Sequence, residues 1–441
     1  MNFNLLKEEA LKLGIKEIEL YSVKANGVDM DFFDGVIDAN TTSLTDVLCV
    51  RGVYNNHIAT VYTEHNSDDE IPFILNTIIS NASIITKEEP YILYPGDDEY
   101  PHVEEKKTDF STKTAAEKIA LANKVDKMLK EKCPYTYKTE CGYAERESVY
   151  SIVNSNGLNV SRSSKSAHLV AELIALKDGE MKVAYDYLYI YNFDEIDLEG
   201  FVDNIIEKAV SQFGAAPVSS GTYNIVLDKG CVRSLLSAYS GVFSANSVLK
   251  KMSFLEGKIG EKIFGDNVTI IDDPLSPLAI TNDTFDDEGV ATKTKSIVEN
   301  GVLKTYLHNL TTAMMMNTKS TGNGFKAGVS APVGVTPCNF YLKPGENTLD
   351  ELFAHVGNGL YITSLQGLHS GVNAVSGSYS LQASGYKIED GKKTSPVTLI
   401  IMSSSIQETL NSITMLGNDF EFKGPFGAPS IALKNIPISG K

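Results

Sequence analysis

With 441 residues, 42% of them hydrophobic, the chain is long enough for two or three domains with substantial cores. Its 39 Lys and Arg stand against 56 Asp and Glu, a formal net charge of −17, so its surface repels phosphate backbones and anionic lipid rather than attracting them. Five cysteines, scattered and without a C-x-x-C pair, argue against both a disulfide framework and a thiolate zinc site.

The opening MNFNLLKEEALKLG places Phe3, Leu6, Ala10 and Leu13 at helical spacing with Lys and Glu between them, which predicts a first helix rather than a signal peptide. No stretch approaches the roughly 20 apolar residues of a membrane span, and MKVAYDYLYIYNF alternates like a strand. A cytoplasmic protein without a membrane partner is therefore expected. Alternating segments around Ile18, Val28, Val47 and Ile58, followed by the apolar helix EIPFILNTIISNA, form an N-terminal α/β unit over residues 1–85. The acidic, proline-bearing run 86–110 reads as an exposed connection.

The segment STKTAAEKIALANKVDKMLKEKC starts with a Ser/Thr cap, keeps Ile119, Ala122, Val125 and Leu129 on one face and stops before Pro134, which predicts a helix. Tyr- and Val-rich alternating runs fill 135–192, with hairpin turns at Asn156 and Gly157 and at Asp178 and Gly179. A second amphipathic helix, DEIDLEGFVDNIIEKAVSQFG, completes a helix–antiparallel sheet–helix middle unit over 110–217. Residues 221–441 open with strand YNIVLD and the helical run VRSLLSAYSGVFSANSVLKK. They continue as short strands and turns, carry a last helix around SIQETLNSITMLG, and make a β-rich C-terminal domain. The fold class is α+β, and no 20–50-residue period recurs.

No two of the seven histidines stand one helical turn apart with a Glu beside the first, the spacing that places two imidazoles on one helix face for zinc. His102 and Glu105 have i,i+3 spacing, but they lie in the acidic connection where no helix fixes their geometry. Asp283, Asp286, Asp287 and Glu288 are expected to form a turn between strands, with a hard cation held by oxygens as the alternative. Gly322–Gly328 has the bare spacing of a dinucleotide fingerprint, yet helix breakers follow it, so a connecting or substrate-facing loop is expected.

The stretch Gly367–Gly385 surrounds one His with four glycines and five serines. Adjacent side chains of an extended segment point to opposite sides, so His369 and Ser370 cannot form a base–nucleophile pair. Small residues let another backbone approach, and the stretch reads either as a bend packed on its own domain or as a groove that takes an extended peptide by strand addition. The candidate peptide-binding residues are His369, Asn373, Ser376, Ser378, Tyr379 and Ser380; no catalytic residue, metal ligand or cofactor is expected.

The succession SFLEGKIGEKIF, FDDEGVATKTKSIVENGVLKTYLHN, STGN, GLHSGVNAVSGSYSLQASGYKIEDGKKTSPV, LGNDFEF and GAPSIAL resembles the C-terminal domain of the TldD/PmbA family, the modulators of DNA gyrase. The likeness covers nearly all of 221–440 in order and continues more loosely through the N-terminal half. In that family the TldD branch is described as a zinc peptidase with a His-Glu-x-x-x-His helix and a distant Cys. The PmbA or TldE branch pairs with it and lacks those ligands. This sequence looks like the second branch, because the corresponding helix reads Leu235-Leu236-Ser237-Ala238-Tyr239-Ser240 and the segment EFKGPFGAPS has no Cys. It departs from its relatives at Ser378, where an acidic residue is common between Gly and the aromatic. The resemblance implies a cytosolic dimer with a TldD-like zinc peptidase or a second copy of itself, enclosing unfolded peptides for degradation or maturation. DNA gyrase would then be modulated indirectly. Two alternatives are an independently active homodimeric peptidase, supported only by the acidic cluster at 283–288, and a regulatory protein that binds gyrase directly.

Overall fold

A computed structural model describes residues 1–86 and 91–441, so 87–90 of the expected connection lie outside the described residues. The N-terminal half is organised by one antiparallel sheet of β1 (Glu17–Phe33), β2 (Val36–Tyr54), β3 (His57–Thr63), β4 (Thr136–Asn154), β5 (Asn159–Lys177) and β6 (Glu180–Tyr189), in the order β3-β2-β1-β4-β5-β6. Asp178 and Gly179 both take positive φ, 51° and 83°, the geometry of a tight hairpin turn and the reason for that dipeptide.

β1 pairs with β2 on one side and with β4 on the other from Glu19↔Asn154 to Phe33↔Glu140, so the N-terminal and middle units read from the sequence share a single sheet. Pairing across 135 residues leaves no trace in local periodicity. Helices α1 (Phe3–Lys12) and α2 (Ile71–Ser83) cover one end of a sheet face, burying Leu6, Ala10, Ile74 and Ile78 against Ile18, Leu20, Leu48 and Val50. Helices α3 (Ala115–Lys132) and α4 (Leu198–Val210) cover the other end of the same face, over Met30, Phe32, Tyr143, Leu169 and Leu173. Alternation then sends Tyr21, Cys49, Tyr150, Ile152 and Arg162 to the opposite face, where Tyr21, Cys49 and Ile152 share a small core with Phe285 of the C-terminal half. The polar stretch at the start of β2, from Val36 to Ser43, is an exposed strand that the sequence pattern does not announce, since neither face is buried.

In the C-terminal half β7 (Gly221–Leu227) lies between Gly359–Gln366, to which it runs parallel, and Ile431–Ser439. Ser378–Glu389 and Lys392–Ser405 extend the sheet, and Lys392–Ser405 returns to pair with Ile431–Ser439 through Ile401↔Ser439 and Met402↔Ile438, so the strands close on themselves. A second sheet joins Ile270–Asp272, Lys295–Glu299, Phe340–Leu342 and Phe426–Ala428 with two short edge strands. Helix α5 (Lys229–Tyr239) packs against Gly359–Gln366 of one sheet and Phe426–Ala428 of the other, with Leu235, Leu236 and Tyr239 in the largest core. The expected helix beyond it breaks at Ser240–Phe243, where Gly241 sits in a tighter turn and Ser244 goes extended (ψ 127°), which sends Val242 and Phe243 inward. Among the described residues no helix is long and apolar enough to cross a membrane.

The start of α3 is fixed by a reciprocal cap in which Thr114 and Glu117 each accept from the other's backbone N–H. Thr114→Ala should lower stability by about 1 kcal/mol, read as a downward shift of the urea midpoint of the N-terminal half with unchanged slope. An unaltered midpoint would contradict that account of the helix start.

Candidate functional site

The acidic run Asp286, Asp287 and Glu288 is buried at the seam between the C-terminal half and the open face of the N-terminal sheet. Gly289, at φ +85°, turns the chain so that Asp286 N–H donates to the Val290 carbonyl, and Phe285 bridges Ala291 across the turn. The expected turn is present, with its carboxylates facing inward. Asp286 Oδ1 accepts the backbone N–H of Glu288 and Val290, both at 3.0 Å, and Oδ2 accepts that of Gly324 at 2.8 Å. Asp287 Oδ1 accepts Tyr21 Oη–H at 3.0 Å and Arg162 Nη2–H at 2.8 Å, while Oδ2 accepts Lys326 N–H at 2.8 Å. Glu288 Oε2 accepts Leu310 N–H at 2.7 Å. Five of these six carboxylate oxygens are therefore engaged by donors of the chain itself.

Arg162 pairs Nη1 with Asp283 and lies over the rings of Tyr150 and Phe285, 4.6 and 5.2 Å from their centroids. Burial alone would pull its guanidinium down, but Asp283 and Asp287 hold it above its usual value. The Asp286 carboxyl is pushed well above the ordinary range by burial and by Glu288 beside it, and burial raises Glu288 as well. The donor set does not fit a cation, because its oxygens already take N–H and O–H groups, and among the described residues no group of three or more His, Cys, Asp or Glu is arranged to hold one.

The loop 322–328 is buried at its start and exposed at Ala327 and Gly328. Asn323 is fully buried, its Nδ2 donating to Asp272 Oδ2 at 2.8 Å and to the Thr336 carbonyl at 3.0 Å. A Cβ on Gly324 would stand 2.5 Å from Glu288 Oε2, so glycine is what allows the backbone to reach the two carboxylates.

The residues expected to bind peptide separate into two sets. His369, Asn373, Ser376, Ser378 and Ser380 are exposed, on or next to a loop in which the Asn373 side chain accepts the N–H groups of Val375 and Ser376. Tyr379 is corrected to a core residue: it is 4% exposed and its hydroxyl bonds Thr409. Strand addition at 378–389 finds no free edge: 382–388 are flanked by a strand on each side, and the remaining side of 378–380 is taken by Gly371–Asn373 of the same chain. A Gly/Ser-rich composition reports room for a close neighbour and does not reveal that the neighbour is the protein's own strand.

Sequence reasoning missed Arg162, Tyr21 and Lys326, the long-range partners of the acidic turn. The one legible signal was an Arg alternating with serines in NVSRSSKS, on the strand face where a cation needs a buried partner. At the helix in question, Leu235 and Leu236 are 2% and 3% exposed in the main core, and Ser240 Oγ donates to the Ser237 carbonyl. The thiol on that helix, Cys231, is raised far above its usual value by burial and next by Asp228. The strand Phe426–Ala428 packs against α5.

Two family models match the chain: the PmbA/TldA metallopeptidase central domain over residues 108–213 and the PmbA/TldA metallopeptidase C-terminal domain over 220–440. The chain belongs to the PmbA/TldD family. It is 32% identical over 302 residues to an uncharacterised protein of Methanocaldococcus jannaschii, covering 68% of each chain. It is 28% identical over 289 residues to a metalloprotease PmbA homolog of Haemophilus influenzae, covering 65% of this chain and 61% of that one. Its fold superposes on a Thermotoga maritima protein described as a candidate modulator of a DNA gyrase, with TM-score 0.91 and 27% identity over 99% of this chain and 100% of the other. The Thermococcus kodakarensis TldE structure shares the fold at TM-score 0.87 and 21% identity, covering 99% and 100% of the two chains.

Two expectations follow from the buried seam. Arg162→Met should cost about 3–5 kcal/mol by leaving Asp287 without its cation, measured as a loss of thermal stability; a variant as stable as the parent would refute the role of the pair. Because the native values of Asp286 and Glu288 lie above the unfolded ones, the folded state holds extra proton between the ordinary carboxylate range and the raised native values, and stability falls as pH rises through that window. Glu288→Gln should therefore flatten the fall in Tm as pH rises above the ordinary carboxylate range, and parallel curves for parent and variant would contradict the assignment.

Proposed function

We propose that this chain is a metal-free subunit of a TldD/PmbA-type proteolytic system, binding unfolded peptides for degradation or maturation in a cytoplasmic dimer. The observation that carries this reading is the donor set at α5. Its partner strand is in place, yet Leu235 and Leu236 fill the core where imidazole and carboxylate would have to stand, and EFKGPFGAPS offers no thiolate. Zinc bound through nitrogen and sulfur needs such ligands, and a packed leucine supplies none.

Holding a chain requires no ionisable catalyst, since main-chain hydrogen bonds and shape suffice. In this reading the catalytic metal belongs to a TldD-like partner subunit, and a second copy of this chain is the other dimer that the family permits. The exposed His369, Asn373, Ser376, Ser378 and Ser380 are proposed to meet peptide through their side chains, on a loop held by the Asn373 turn. Any effect on DNA gyrase follows indirectly, through removal of peptides that act on it, which suits a protein whose net charge of −17 disfavours contact with the DNA itself.

Co-expression with a TldD-type peptidase of the same organism tests this. The expected result is a co-purifying complex that degrades unfolded peptides, with neither peptidase activity nor stoichiometric zinc in this chain purified alone. Robust proteolysis by the isolated chain would overturn the proposal, and capture of gyrase without any peptidase partner would replace it.

A further inference from the structure

Lys326 of the C-terminal half reaches across the seam to Cys49 of β2. Its Nζ lies 3.3 Å from Cys49 Sγ, at a separation of 277 residues along the chain. The backbone holds the lysine in place, since its N–H donates to Asp287 Oδ2 at 2.8 Å and it bridges Val333 across the loop. The amine also donates to the Val329 carbonyl at 3.4 Å and stands 4.4 Å from the centroid of the Tyr21 ring, Tyr21 being the residue opposite Cys49 on β1. Among the described residues Lys326 makes no ion pair with a carboxylate. A half-buried ammonium has thus been brought to a thiol, a carbonyl and an aromatic face, where desolvation would favour a counter-charge.

The other four thiols differ. Cys133, Cys141, Cys231 and Cys338 are buried, and among the described residues none makes a hydrogen bond through its sulfur. Burial pushes the Cys141 thiol up to about 12 and holds Cys231 and Cys338 well above the usual thiol range, which keeps them unreactive. Cys49 is 1% exposed, but the loop that carries Lys326 turns to solvent at once, at Ala327 and Gly328. Local opening of such a loop admits a small oxidant without unfolding the sheet beneath it.

We propose that Cys49 and Lys326 form an oxidative modification site, joined by a sulfur–nitrogen bond that clamps the two halves of the chain when hydrogen peroxide is present. In the first step the Cys49 sulfur attacks one peroxide oxygen. An S–O bond forms as the O–O bond breaks, the thiol proton leaves with the second oxygen as water, and sulfur loses the two electrons that peroxide gains. The resulting sulfenic acid condenses with a nitrogen in reach. Lys326 Nζ, having given its ammonium proton to water, attacks the sulfur; the S–N bond forms as the S–O bond breaks, and the hydroxyl leaves with an amine proton as a second water. A thiol reductant reverses the bridge by attack at the same sulfur. The bridge is independent of the peptide-holding role.

The full chain treated with hydrogen peroxide, alkylated at its remaining thiols and digested with pepsin tests this by mass spectrometry. The expected product is a joined pair of peptides containing Cys49 and Lys326, lighter by two hydrogens than the sum of its parts and lost after dithiothreitol. A link between residues so far apart restricts the unfolded chain, so peroxide should also raise the Tm of the parent by roughly 5 °C, reversibly. Lys326→Arg keeps the positive charge but offers no nucleophilic amine, and it should lose both the joined peptides and the rise in Tm; Cys49→Ala should do the same. The mass readout is made on the parent and stands even if a variant fails to fold. Recovery of Lys326 only in unmodified peptides, with Cys49 as free thiol, sulfinic or sulfonic acid, would overturn the proposal. An equal rise in Tm for a folded Lys326→Arg would overturn the clamp.

Discussion

The molecule depends on burying three consecutive acidic side chains where two halves of the chain meet. Isolated carboxylates in such a place would be prohibitive, since the desolvation of each ion costs several kcal/mol. The cost is offset because the donors are supplied from opposite sides. Tyr21 and Arg162 come from the sheet, and the backbone of 288–290, 324, 326 and 310 comes from the C-terminal half. Asp287 receives from both halves at once, and this makes the seam directional: the acidic turn fits only with Arg162 beneath it. The cavity beside β5 is a consequence, because seating Phe285 and Asp283 on Arg162 sets the wall 280–285 at a fixed height above the strand edge.

Much of the local structure was legible. Helices with a cap and a periodic apolar face, such as Ala115–Lys132 and Leu198–Val210, and the turn at Asp178 and Gly179 follow from short-range sterics and hydrogen bonding, which a sequence states directly. The strings shared with the TldD/PmbA family located the C-terminal domain. What stayed hidden was pairing between distant segments. β1 joins β4 across the boundary that composition marked, and Arg162 meets Asp287 at a separation of 125 residues. The candidate site suffered from the same blindness. Tyr379 and its serine neighbours read as an open strand, whereas the free side of 378–380 is closed by Gly371–Asn373 of the same chain.

The interior of the C-terminal half shows what an apolar helix face contributes to the fold. A metal-binding helix must keep polar, ionisable side chains in a core, an arrangement that lowers stability for the sake of function. Here α5 packs against both sheets and gives Leu235 and Leu236 to the main core. Truncating a buried leucine to alanine typically costs 2–5 kcal/mol, so Leu235 and Leu236 each help to hold the helix in the main core.

That same rigidity bears on the peptide-holding role proposed for the chain. Side-chain pockets select sequences, but unfolded polypeptides present few constant features apart from their amide groups. A strand edge matches those groups at a spacing fixed by the sheet, and it is effective only if it is held against collapse and against pairing with its own protein. Arg162 fixes one wall of the cavity beside β5, since its pairs with Asp283 and Asp287 tie that part of the C-terminal half to the strand. The acidic turn therefore joins the two halves and sets the opening beside the sheet.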